Sequence, residues 1–122
     1  MATNYLNWLN RSSDLLKWSE DNFKLENYPL VCYLTQQSIE LLLKGLIYKQ
    51  DKIPPKSHNL VRLAKLAKID TNKLIEELTI LSEYYFESRY PDSFREELNN
   101  KAIAQKALNY ANKIRQILIL SK

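Results

Sequence analysis

Apolar residues crowd one stretch of this chain, from Pro29 to Gln50, PLVCYLTQQSIELLLKGLIYKQ. Between Leu30 and Tyr48, 12 of 19 residues are apolar and they point in nearly every helical direction. A helix that is greasy all round is buried all round. It nevertheless carries a narrow polar stripe. Gln36, Gln37, Glu40 and Lys44 recur at spacings of three and four, so they share one face. Such a seam predicts either a second polar surface against it, or a ligand or water.

The other elements read from the same periodicity. A first helix starts near Thr3 or Asn4 and runs to about Asp21 or Phe23, with Leu6, Leu9, Leu16 and Phe23 as its stripe and Tyr5, Trp8, Leu15 and Trp18 broadening it. On its flank, Arg11 and Asp14 are spaced for a solvated ion pair. Asn27-Tyr28-Pro29 breaks the chain and opens the central helix. Pro54 and Pro55 then force an extended connection. Ser57 is the expected cap of a short third helix, Asn59 to about Lys68. Asp70 or Thr71 is the expected cap of a fourth, reaching about Phe86, with Leu74, Leu78, Leu81 and Tyr85 inward and Ile75 widening the stripe. Pro91 stops any helix. Ser93 with Glu96 forms a capping-box pattern for a short turn over Phe94–Leu98. Asn99 or Asn100 caps the last helix, to about Leu120, whose alanines at 104, 107 and 111 invite close packing. No strand alternation and no hairpin turn survive. The fold class is all-α, an up-and-down bundle of about five helices, four long or medium and one short.

Composition narrows the chemistry. A chain of 122 residues suits a single domain, 1–122, and buries roughly two-thirds of its unfolded surface. One cysteine, Cys32, excludes an internal disulfide and reads as a small core residue. One histidine and one cysteine exclude a usual zinc site within the chain. Any Ser-His-Asp or Cys-His centre would have to use His58, with no nucleophile motif nearby. A single glycine rules out a Gly-rich phosphate loop. The start MATNYLNWLNR is no signal peptide, and polar residues interrupt the central helix too often for a membrane span. A cytoplasmic protein is expected. The scarcity of glycine and abundance of Lys, Glu, Ile, Leu and Tyr fit a heat-adapted source.

Net charge is +4, distributed in blocks: net +4 over 51–75, −5 over 76–100 and +5 over 101–122. Blocks of opposite sign favour complementation within the bundle or across a dimer over a phosphate-backbone footprint.

Four segments together carry a resemblance: Trp8 with Asp14-Leu15, then QQSIELLLKGL over 36–46, PKSHNL over 55–60, and SRYPD over 88–92. In order and spacing, from Trp8 to Ile117, the chain resembles the HEPN domain family, the nucleotide-binding domain of higher eukaryotes and prokaryotes. The resemblance implies a dimerising helical bundle that associates with nucleotides, often as the partner of a small nucleotidyltransferase in toxin–antitoxin-like pairs. Some branches are metal-independent ribonucleases whose motif is an arginine and a later histidine with four to six residues between them. After Arg89 the corresponding positions hold Phe94, Arg95 and Glu96, so that motif is missing.

The expected ligand-binding residues are Gln37, Glu40, Lys44, His58, Arg89, Tyr90 and Asp92, with no catalytic residue, no metal and no cofactor. Arg89 reads either as a phosphate clamp with Tyr90 stacking on a base, or as an ion-pair partner of Glu40 or Asp92. Glu40 and Lys44 form a favourable i,i+4 pair. Gln36 and Gln37 bond across a helix interface or to a base edge. His58 either satisfies a helix terminus or contacts a nucleotide. The expected function is therefore a non-catalytic HEPN-like module, homodimeric, binding a nucleotide, a nucleotidyltransferase partner or both. The alternatives are a ribonuclease or RNA-binding, toxin-like protein, disfavoured by the missing motif, and a purely structural dimeric interaction protein.

Overall fold

A computed structural model describes residues 4–87 and 96–120. It contains α1 (Tyr5–Lys24), α2 (Tyr28–Lys49), α3 (Leu60–Leu66), α4 (Ile75–Glu87), a 3₁₀ turn (Glu96–Leu98) and α5 (Lys101–Leu120). Among the described residues no strand forms. The fold is an all-α helical bundle.

Asparagine caps set several boundaries. The Oδ1 atoms of Asn4, Asn59 and Asn100 accept from the backbone N–H of Leu6, Arg62 and Ile103 at 3.0, 3.1 and 3.1 Å. Each removes an N–H left orphaned at a helix start. Asn59 thus takes the capping role expected of Ser57, and α3 is shorter than its pattern predicts. Ser57 Oγ accepts from Asn59 N–H one step earlier. α4 also begins later than expected. Asp70 and Thr71 bond locally, to Asn72 N–H and Leu74 N–H, and close a turn before Ile75. The expected turn over Phe94–Leu98 is described only from Glu96.

α2 is the hub. It packs most extensively on α1, then on α5, α4 and α3. The α1 contacts run from Trp8–Tyr48 through Ser12–Ser38 to Phe23–Tyr28, so the two helices are antiparallel. Ile39, Leu42, Leu43 and Ile47 of α2 meet Leu60, Leu63, Leu78, Leu81, Leu98 and Ile114 in one core, and Ala104, Ala107 and Ala111 bring α5 close. Cys32 lies in this core.

The buried line of α1 is rotated from the expected stripe. Leu6 and Trp18 are exposed, and so is Ile75 on α4. Leu16 is buried as expected, and Ser12 and Ser19 face inward beside it. Ser12 Oγ donates to Ser38 O at 2.6 Å and Ser38 Oγ donates to Ser12 O at 2.7 Å, a reciprocal lock that needs the backbones close together. Arg11 lies over the Trp18 ring, 5.7 Å from its centroid, and among the described residues makes no ion pair with Asp14.

Gly45 extends the close approach. A Cβ there would sit 3.0 Å from Trp8 Cβ and 3.0 Å from Leu9 Cδ2. The helix breaks at Glu26, Asp51 and Lys68 use left-handed backbone without glycine, with φ of 63°, 58° and 61°. The one glycine therefore serves helix contact rather than a turn.

Between α4 and α5, Lys113 Nζ donates to Glu77, which is buried. That hydrogen bond holds the Glu77 carboxyl below its ordinary range, against the opposing pull of burial.

Two outcomes follow from this packing. Gly45→Ala should destabilise by about 1–3 kcal/mol in urea denaturation, because Trp8 Cβ is fixed to its backbone and overpacking outweighs the helix-propensity gain. Glu77→Gln should cost under about 1 kcal/mol near neutrality. A carboxyl whose folded pKa is depressed contributes stability above its unfolded value and loses it as pH falls through the folded value. The wild-type and Glu77→Gln urea midpoints should accordingly converge below about pH 4.

Candidate functional site

The polar stripe of α2 closes on a single carboxylate. Glu40, with only 5% of its side chain exposed, receives Lys44 Nζ on Oε2 at 2.9 Å. Its Oε1 faces His58 Nδ1 at 2.9 Å and accepts from Gln36 Nε2 at 3.1 Å, with Gln37 Nε2 at 3.4 Å. A carboxylate is an acceptor only, so Nδ1 must carry a proton to make this bond. In the neutral ring Nε2 is then the acceptor nitrogen.

Gln36 ties the arrangement to the backbone. Its Nε2 also lies 3.3 Å from His58 O, and its Oε1 accepts from Gln37 Nε2 at 2.7 Å. The segment carrying His58 is fastened from the other side as well, since Leu60 N–H donates to Ser82 Oγ of α4 at 2.7 Å. The imidazole stacks on Tyr85, with ring centroids 3.7 Å apart and planes 11° from parallel. Two helices and a capping segment thus hold one imidazole in a fixed orientation, while 39% of its side chain is exposed.

That exposed side opens on a cleft of about 430 Å³, lined by Lys56, Ser57, His58, Asn59, Ser82 and Glu83. This falls within the size range of small-ligand sites. The cleft offers a cation, a carboxylate, hydroxyls, an amide and the edge of an aromatic ring, a set suited to a polar ligand held by several hydrogen bonds. Lys56 and Glu83 stand at the surface as the charged groups, whereas Glu40 and Lys44 are turned inward on one another.

Of the residues expected from sequence, Gln37, Glu40, Lys44 and His58 come together. Only His58 lines the cleft. Glu40 stands behind it, and Lys44, 12% exposed, completes the charge balance. Arg89, Tyr90 and Asp92 lie outside the described residues. Sequence reasoning missed Lys56, Ser82, Glu83 and Tyr85 as neighbours of His58. Tyr85 was legible only as a core position, and Ser82 and Glu83 gave no signal, because tertiary packing alone brings α4 beside residues 56–59. Among the described residues, no group of three His, Cys, Asp or Glu is placed to hold a metal ion, and no helix is long and apolar enough to cross a membrane.

Removing the central charge tests this geometry. Glu40→Gln keeps the shape but leaves Lys44 poorly solvated and without its counter-charge. The expected loss is about 2–4 kcal/mol in urea denaturation. A loss under about 0.5 kcal/mol, the level of an exposed helix pair, would contradict the buried network.

The HEPN domain model matches residues 5–121. Two solved structures share the architecture. TT1696 from Thermus thermophilus superposes with a TM-score of 0.78 at 27% identity, covering 93% of this chain and 94% of that one. ST0689, described as an archaeal HEPN homologue, gives a TM-score of 0.73 at 27% identity, with 92% of each chain covered. No curated protein sequence matches. A family match over nearly the whole chain, with two solved structures superposing on almost all of it, makes this protein a member of the HEPN domain family.

Proposed function

We propose that this HEPN domain is a non-catalytic binding module, a homodimer that takes a nucleotide at the His58 cleft, alone or together with a nucleotidyltransferase partner. The observation that carries the reading is the division between a closed seam and an open cleft. Glu40 spends its acceptor capacity on Lys44, His58 and Gln36, so it is a positioning residue for the imidazole. The groups turned to the ligand are Lys56, His58, Asn59 and the hydroxyls of Ser57 and Ser82. Lys56 suits a phosphate as a point charge. Of the two sequence readings of Arg89, this proposal takes the phosphate clamp, with Tyr90 stacking on a base.

The non-catalytic assignment rests on sequence. The sole histidine precedes Arg89 and Arg95, so the arginine-to-histidine spacing of the ribonuclease branches does not occur. Family membership supports the nucleotide and the dimer as classes of partner.

A thermal-denaturation titration with ATP, GTP, CTP and UTP tests the reading, with sedimentation equilibrium of the same preparation reporting the dimer. A ligand at 100 times its Kd adds about 2.7 kcal/mol of stability. His58→Ala should abolish that shift. No shift with any of the four at millimolar concentration would overturn direct nucleotide binding and leave the structural dimeric module as the better account.

A further inference from the structure

α5 carries a cation that no carboxylate among the described residues balances. Arg115 is half-buried beside α1, and its Nη1 donates to Ser12 Oγ at 3.0 Å. Among the described residues no carboxylate pairs with it. Burial pulls the guanidinium pKa below its ordinary value, the direction expected of a desolvated charge with no anion beside it. The two buried carboxylates among the described residues differ in this respect. Glu40 has Lys44 and Glu77 has Lys113.

The Arg115 contact to α1 is a weak substitute for an ion pair. Ser12 Oγ is fully buried and gives its own hydrogen to Ser38 O, so toward Arg115 it acts as a neutral acceptor. It orients the guanidinium without balancing its charge. The remaining N–H groups of a guanidinium form a planar fork matched to a carboxylate.

The guanidinium lines a groove of about 340 Å³ with Asn112, Gln116 and Ile119. These four positions follow helical spacing and make one stripe along α5. At 1.5 Å per residue the stripe is about 10 Å long, the reach of about three residues of extended chain. Asn112 Nδ2 is committed to Leu108 O, which leaves its Oδ1 to accept a peptide N–H. Gln116 supplies a second amide, and exposed Ile119 an apolar wall. One cation in the groove balances one negative charge, which suits a carboxylate better than a phosphate of charge about −2. The charge that lines the groove is the Arg115 guanidinium, and an acidic side chain complements it.

We propose that the α5 groove is a docking site for an acidic polypeptide segment, which seats one Asp or Glu carboxylate on Arg115 and its flanking backbone on Asn112 and Gln116. None of these residues lines the His58 cleft, so the proposal stands apart from nucleotide binding.

The test is NMR titration of the full-length ¹⁵N-labelled protein, reading the Arg115 Nε–Hε signal and the backbone amides of 112, 116 and 119. The probes are acetyl-Ala-Glu-Ala-amide, its Gln analogue and inorganic phosphate. The glutamyl peptide should give saturable shifts confined to the groove, with the Gln peptide about tenfold weaker or worse, as expected for loss of a charge-assisted pair. Arg115→Gln should remove the preference while keeping the melting temperature, and Ile119→Ser should weaken binding severalfold with the core intact. Equal shifts from the Glu and Gln peptides, a stronger response to phosphate, shifts spread over all lysine-bearing surfaces, or no saturable shift at millimolar peptide would each overturn the proposal.

Discussion

A carboxylate with 5% of its side chain exposed must be met by cations and hydrogen-bond donors, or it destabilises the fold by several kcal/mol. Glu40 imposes that requirement at the middle of the helix every other helix touches. Lys44 answers it from one turn away, Gln36 from the turn before, and His58 from the capping segment ahead of α3. Because His58 must reach Glu40, the segment that carries it is drawn onto α2. Because the ring stacks on Tyr85, α4 is fixed beside the same segment. The cleft is thus a consequence of satisfying one buried charge.

The opposite side of α2 obeys a steric constraint. Small side chains at Ser12, Ser38 and Gly45 let α1 approach until hydroxyls reach across to backbone carbonyls. Such bonds are modest singly, about 1 kcal/mol net, but a bulkier residue at any of these positions would part the helices along their length. α2 therefore faces a tight neutral interface on one side and a charged one, beside the His58 cleft, on the other. That division suits a scaffold whose polar site is held rigidly from behind.

Much of this was legible before any coordinates. The greasy helix with a four-residue polar stripe announced both the hub and the seam, and the Glu40–Lys44 pair followed from i,i+4 spacing. Asn4 and Asn100 were recognisable caps. Much of what stayed unread lies across the chain, where local pattern is blind. Ser12 looks like a surface residue on an amphipathic helix until Ser38 supplies its partner. Asp70 and Thr71 look like caps of a long helix, but they close a local turn first. His58 lies eighteen positions from Glu40, and nothing in its neighbourhood names that partner. Arg115 is one of four cations in the last helix, and only its burial sets it apart.

The central claim, that a buried Glu40 carboxylate fixes His58 through Nδ1, has a direct spectroscopic readout. His58 is the sole histidine of the chain, so a long-range ¹H–¹⁵N spectrum of the intact protein contains one imidazole. At about pH 8.5, where an ordinary imidazole is neutral, the account predicts the proton on Nδ1 and an unprotonated Nε2. A ring with its proton on Nε2 and an unprotonated Nδ1 would have nothing to donate to Glu40 and would contradict the account.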